Sequence, residues 1–134
     1  MKAIKSKVSK ALPIGANLNV VDNSGAKILQ IITVKGYKTR TKKLMSAGVA
    51  DLVTGTVKVG DPEMRHKVVQ AVVVRQKKEF TRPEGLKVRF EDNAAVVLKD
   101  VRLGMPKGTL IKGPIAKEVA IRWPNVAKQA TIVL

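Results

Sequence analysis

Cysteine is absent from the sequence, which excludes disulfides and thiolate metal sites and fits a reducing compartment. Histidine occurs once, as His66 between Arg65 and Lys67. With no cysteine and that lone histidine in an expected hairpin tip, neither a Ser-His-Asp nor a Cys-His nucleophile can be assembled. A transition-metal site lacks its usual ligands for the same reason, and His66 reads as a surface residue beside phosphate. Glu91 and Asp92 are adjacent, but neighbours on a strand point to opposite faces and cannot share a substrate. Neither GxxxxGK[ST] nor a strand-linked GxGxxG is present. The sequence therefore predicts no catalytic residues, no cofactor and no metal.

Other absences narrow the class. Aromatic residues make up 3% of the chain, so the core must be aliphatic. No run approaches the ~20 apolar residues that a membrane span requires. The segment from Ala11 to Ala16 is too short, and too interrupted by Pro13 and Gly15, for a signal peptide. The expectation is a soluble intracellular protein.

Acidic residues are also scarce: 10 Asp and Glu stand against 26 Lys and Arg, a formal charge of +16. Such an excess costs self-repulsion in the compact state and is most useful beside a polyanion. Nucleic acid is the first candidate. An anionic membrane surface is the second, but the sequence offers no amphipathic helix with a wide apolar face.

What is abundant is valine, with twenty among 134 residues. One strand-rich domain follows from the length and the β-branched composition. The central stretch runs from Ala71 to Val97. Val72 to Val74 favour a buried strand, Pro83-Glu84-Gly85 supplies a turn, and Val88 and Phe90 alternate with Lys87 and Arg89. This reads as a hairpin with a basic connection. Before it, Asp22-Asn23-Ser24-Gly25 is a structural turn. Ala26 to Val34 is a strand with two largely apolar faces, hence central or in a closed barrel. Leu52 to Val59 is another strand, in which Gly55 marks a bulge, a bend or a close backbone approach.

The expected organisation is a basic arm over residues 1–12, a β-barrel over 16–98, and loop with short helices over 99–134. Lys2, Lys5, Lys7 and Lys10 give the arm its charge, as a mobile arm that orders on a partner or as a solvated tail. The first helix is expected from Ile115 to Arg122, with Pro114 at its first turn and Lys117, Glu118 and Arg122 outward. Pro124 ends it and a second short helix covers Asn125 to Gln129. Trp123, at the junction, is expected to anchor the helices to the barrel.

Two connections carry concentrated charge. Lys35 to Lys43 places five basic residues in nine positions with no acid among them. Arg75, Lys77, Lys78 and Arg82 form the second. A charge run is ordinarily a solvated surface, but two such runs on one small domain favour phosphate binding.

The pattern Ala71-Val72-Val73-Val74, nine residues, Glu84-Gly85, four residues, Phe90, two residues, Asn93, two residues, Val96-Val97 resembles a family signature. It is similar to that of a universal large-subunit ribosomal protein, the L-fourteen family. Asp22 to Lys27, Ala47-Gly48-Val49, Ala71 to Lys78 and Gly113-Pro114 agree as well, collinearly over Leu18 to Ala127. The basic N-terminus and Gly60 to Lys67 resemble the archaeal and eukaryotic branch. Glu84 departs from the Asp, Asn or Ser usual before this glycine, which touches only the turn type. The resemblance implies a closed five-stranded β-barrel with a projecting β-ribbon and short C-terminal helices. It also implies a place on large-subunit rRNA near the subunit interface, with neighbouring ribosomal proteins and small-subunit rRNA within reach.

The mechanism expected from the residues is phosphate neutralisation and shape recognition, since RNA's deep major groove offers side chains little sequence. Arg40, Arg75, Arg82 and Arg89 are the expected bidentate anchors. Lys35, Lys38, Lys42, Lys43, Lys77 and Lys78 add point charges around them. The competing class is a single-strand-binding module of the cold-shock or OB type. It needs exposed rings among the charges, and only Tyr37 and Phe80 are placed to serve.

Overall fold

The computed structural model describes residues 3–4, 7–41 and 43–134. Five strands carry the fold: β1 (Asn17–Val20), β2 (Ala26–Val34), β3 (Leu52–Gly60), β4 (Val68–Arg75) and β5 (Ala94–Asp100). Each pairs antiparallel with the next in sequence. β5 then returns to β1 in parallel, Asn19 opposite Ala94 and Val20 opposite Ala95. The ring is closed, so all five strands have neighbours on both sides and no long edge is left for association.

The valine-rich runs are explained by two apolar layers. Leu18, Leu29, Ile31, Val53, Val57, Ala71, Val73, Ala95 and Val97 fill the barrel. The alternate residues Val72, Val74, Val96 and Leu98 point outward, yet they are buried beneath a second cluster containing Phe80, Ile115, Val119, Trp123 and Val126. Ala71 to Val74 of β4 and Ala94 to Leu98 of β5 thus bury both faces, which is why these apolar runs are continuous. β2 does not. Register shifts along its pairing with β3 interrupt strict alternation. On its outward face Ile28 and Gln30 are half-buried and Ile32 is exposed. Two largely apolar faces thus go with one buried face, that of Leu29 and Ile31, and closure of the barrel is as expected.

Gly55 is a close approach. A Cβ there would lie 2.5 Å from the Gln30 carbonyl oxygen and 2.9 Å from Leu29 Cγ, so β2 and β3 can cross tightly only with glycine at this position. The Asp22 turn is structural, as its sequence suggested. Its buried carboxylate accepts hydrogen bonds from Ser24 N (3.1 Å) and Ser24 Oγ (2.5 Å), and from Val97 N of β5 (2.9 Å).

The C-terminal segment departs from expectation at its start. Pro114–Ile115 is extended and pairs in parallel with Ile132–Val133, and helix α1 begins only at Lys117 (Lys117–Arg122). Ala116 N donates to Val74 O, and the Ile115 carbonyl accepts from Leu134 N. These sheet-like bonds hold the chain extended where proline had suggested a helical turn. Pro124 occupies the first turn of helix α2 (Pro124–Ala127). Trp123 is buried at the junction, and its indole Nε1 donates to Ala50 O at 2.8 Å, anchoring the helices as anticipated.

Part of the basic arm is laid on the barrel. Val8 and Leu12 are buried, Leu12–Pro13 pairs with Ser46–Ala47, and the Lys10 ammonium meets the Asp51 carboxylate. Lys2 and Lys5 lie outside the described residues.

Candidate nucleic-acid interface

Alternation of strand direction decides where the charged connections go. β2 and β4 run toward one end of the barrel, and β3 and β5 start from it. The β2–β3 connection and the β4–β5 connection therefore emerge at the same end. Separated by more than thirty residues in sequence, the two basic runs share one pole of the molecule.

In the first connection Lys35, Lys38, Arg40 and Lys43 are all exposed, and none has a carboxylate partner among the described residues. Tyr37 packs half-buried against the barrel core, so this loop is seated by its ring while its cations face solvent. Lys42 lies outside the described residues. In the second connection Lys77, Lys78 and Arg89 are exposed and likewise free of ion pairs within the described chain. Lys77 N donates to Asn93 Oδ1 at 2.8 Å, which fixes the backbone of this basic run against the start of β5. Beyond it, Phe80–Thr81 pairs with Lys87–Val88 in a short ribbon. Gly85 takes positive φ in its turn (+89°), the conformation that glycine adopts without steric cost.

Two of the expected anchors are engaged within the chain. Arg75 is 8% exposed. Its Nε donates to Asp92 Oδ1 at 2.8 Å and its Nη2 to Asp92 Oδ2 at 3.2 Å, while Nη1 donates to the carbonyls of Lys112 and Pro114, both at 3.0 Å. Gly113 permits this, because a Cβ there would stand 2.6 Å from Arg75 Nη1. Arg82 turns back from the ribbon to Glu118, Nε to Oε1 at 2.9 Å, and to the Leu134 carbonyl at 2.6 Å. Glu118, expected to face outward, is 4% exposed and spent on this pair. The same fork geometry that suits a phosphate suits a carboxylate with flanking carbonyls. Both arginines belong to the frame that holds the basic connection rather than to its free surface.

The acids follow a matching logic. Asp51 is buried, accepts from Gly48 N at 2.8 Å, and faces both Lys10 and Arg122. Asp22 caps its turn, Asp92 holds Arg75 and Glu118 holds Arg82. These four carboxylates are matched in number by Lys10, Arg75, Arg82 and Arg122, so the net surplus is unchanged and resides on cations that have no carboxylate partner among the described residues. Burial pushes the Asp92 carboxyl upward, but the hydrogen bond and charge of Arg75, helped by Asn19, outweigh it and hold the group below its ordinary range. The central part played by Asp51 and Glu118 carried no sequence signal, since each is a lone acid far from its partner in the chain.

Of the two rings that a single-strand-binding module would need, Phe80 is buried in the helix-covered layer and Tyr37 is packed against the barrel. His66 is exposed at the opposite end of the barrel with positive φ (+64°), and its N–H donates to Val57 O. Among the described residues no group of His, Asp and Glu is placed to hold a metal ion.

Comparison with known proteins agrees with the signature read from the sequence. The family described as Ribosomal protein L14p/L23e matches residues 11–134. The large ribosomal subunit protein uL14 of Nanoarchaeum equitans (strain Kin4-M) is 55% identical over 134 residues, covering 100% of both chains. A closed, aliphatic five-stranded barrel whose basic pole has no carboxylate partner among the described residues is thus joined to a full-length match, and the chain belongs to the L14p/L23e family of ribosomal proteins, which are structural and not enzymes.

Proposed function

We propose that this chain is seated in the large ribosomal subunit by its basic pole, which neutralises phosphates of folded large-subunit rRNA. One observation carries the reading. The exposed Lys35, Lys38, Arg40, Lys43, Lys77, Lys78 and Arg89 project from two connections at the same end of a rigid barrel, with no carboxylate of the described chain to neutralise them. Counterions released from RNA by such a cluster drive binding without reading bases. The closed barrel holds the two connections in fixed relation, so their charge pattern recognises the shape of an RNA fold. The family resemblance supports extending this reading to a contact near the subunit interface, among neighbouring ribosomal proteins and within reach of small-subunit rRNA, with a contribution to a bridge between subunits as part of the same proposal. The working compartment is the cytoplasmic ribosome.

Binding to a large-subunit rRNA transcript across a salt series tests the proposal. Neutralising ~6 phosphates gives a log–log slope of several units. A flat slope, or equal affinity for a homopolymer, contradicts it. Replacing Lys77, Lys78 and Arg89 together with alanine reduces the slope while leaving thermal unfolding nearly unchanged, because all three are exposed and unpaired.

A further inference from the structure

Phe90 lies among cations and, unlike Phe80, is only partly covered. Phe90 packs against the helix-covered core and is half-buried there. It also lines two open clefts of about 630 Å3 and 490 Å3, within the size range of small-molecule sites (roughly 300–1,000 Å3). Arg89, Phe90 and Glu91 form the ridge common to both. Arg75, Asp92 and the Gly113-Pro114 backbone bound the larger cleft, and Lys77 bounds the smaller. Phe90 N donates to Gln76 O at 3.0 Å, which fixes the ridge to the strand that carries Arg75.

The chemistry of the ridge is mixed in a way that phosphate binding does not require. Arg89 and Lys77 are free cations, whereas Asp92 is already satisfied by Arg75 and Asn19. Glu91 is exposed and makes no ion pair within the described chain. A bare carboxylate beside free cations weakens attraction for a phosphate backbone, so on electrostatic grounds alone it is out of place. It has a use if a base arrives with it. A ring offers a stacking surface, a carboxylate accepts hydrogen bonds from the donor edge of a base, and flanking cations take the phosphates on either side.

We propose that the Arg89-Phe90-Glu91 ridge receives one unstacked purine nucleotide of the bound RNA, with guanine preferred. Guanine presents N1–H and N2–H side by side and can give both to one carboxylate. Phe90 stacks on the base, Glu91 reads its edge, and Arg89 and Lys77 hold the adjoining phosphates. The inference rests on the RNA-binding reading above and adds to it one point of base recognition.

Glu91→Gln separates the possibilities by sign. If Glu91 faces only phosphates, removing its charge strengthens binding of the rRNA transcript. If it accepts from a base, the same change weakens binding several-fold, with the salt slope unaltered. Phe90→Leu, which keeps the apolar filling but loses the π-face, weakens binding by about 5- to 150-fold, the equivalent of one base stack at ~1–3 kcal/mol. Thermal unfolding of each variant confirms that the fold is intact. In an NMR titration of the wild-type chain, guanosine monophosphate shifts the Phe90 ring signals more than uridine monophosphate does. Tighter or unchanged binding by Glu91→Gln, or unchanged binding by Phe90→Leu, overturns the nucleotide site. Loss of salt dependence in the parent protein instead overturns the wider RNA reading, so the two failures are distinguishable.

Discussion

Arg75 and Asp92 close the base of the β4–β5 connection with a two-point contact, Nε to Oδ1 at 2.8 Å and Nη2 to Oδ2 at 3.2 Å. The remaining Arg75 nitrogen, Nη1, is held by the Lys112 and Pro114 carbonyls. One side chain thus ties the end of β4, the start of β5 and the C-terminal segment together, beside the cleft that the exposed Arg89 also lines.

Because this guanidinium is occupied, replacing Arg75 affects RNA binding through position and not through charge. Arg75→Met leaves Asp92 without its cation and two carbonyls without a donor, at a cost of about 1–3 kcal/mol in unfolding free energy. Binding of rRNA falls, but the log–log salt slope stays at the parent value. A slope lower by about one unit, as expected for loss of a phosphate contact, would show Arg75 to be an anchor after all.

The same pair gives stability a pH dependence. Asp92 is held below its ordinary range in the folded chain, so its contribution is fully present above the unfolded-state value. It is lost as pH falls through the lower, folded-state value. Asp92→Asn should therefore be less stable than the parent at neutral pH, and the difference should shrink on acidification through the carboxylate range. Denaturant melts at several pH values measure this, and a gap that widens toward acid contradicts it.

Glu118 and Arg82 join the ribbon to α1 in a shielded setting, with side-chain exposures of 5% and 13%. Glu118→Ala strands the arginine among apolar neighbours and is expected to cost about 3–5 kcal/mol. Calorimetry should show a lower Tm. If the pair contributes nothing, the melt stays where it was.

Gly55 admits no side chain. Gly55→Ala drives a methyl group into the Gln30 carbonyl oxygen and Leu29, and the strands must part at a cost of about 1–3 kcal/mol or more. Gly85→Ala strains a positive-φ turn but meets no atom within 4 Å, so it should cost less. Equal losses in the two variants argue against the close approach.

The one-dimensional pattern was enough for much of this. Alternating and continuous valine runs specified strands, and Asp22 to Gly25 and Pro83 to Gly85 specified turns. Gly55 marked a bulge, a bend or a close approach, of which the structure shows the last, and Trp123 marked an anchor. These follow from local stereochemistry and from side-chain types, which the order of residues contains.

The destination of each charge was not legible. Arg75, Arg82 and Arg89 look alike in sequence, yet folding commits the first two to Asp92 and Glu118 and leaves the third free. Glu118 and Asp51 are single acids whose partners lie 36 and 71 residues away along the chain. Pro114 fits a helix start in isolation, but sheet-like bonds to the last residues and to Val74 kept it extended. Ring closure, by alternating strand direction, brought both basic connections to one pole. A carboxylate and a guanidinium become a pair only at contact distance, and contact between distant residues exists only after the barrel has closed.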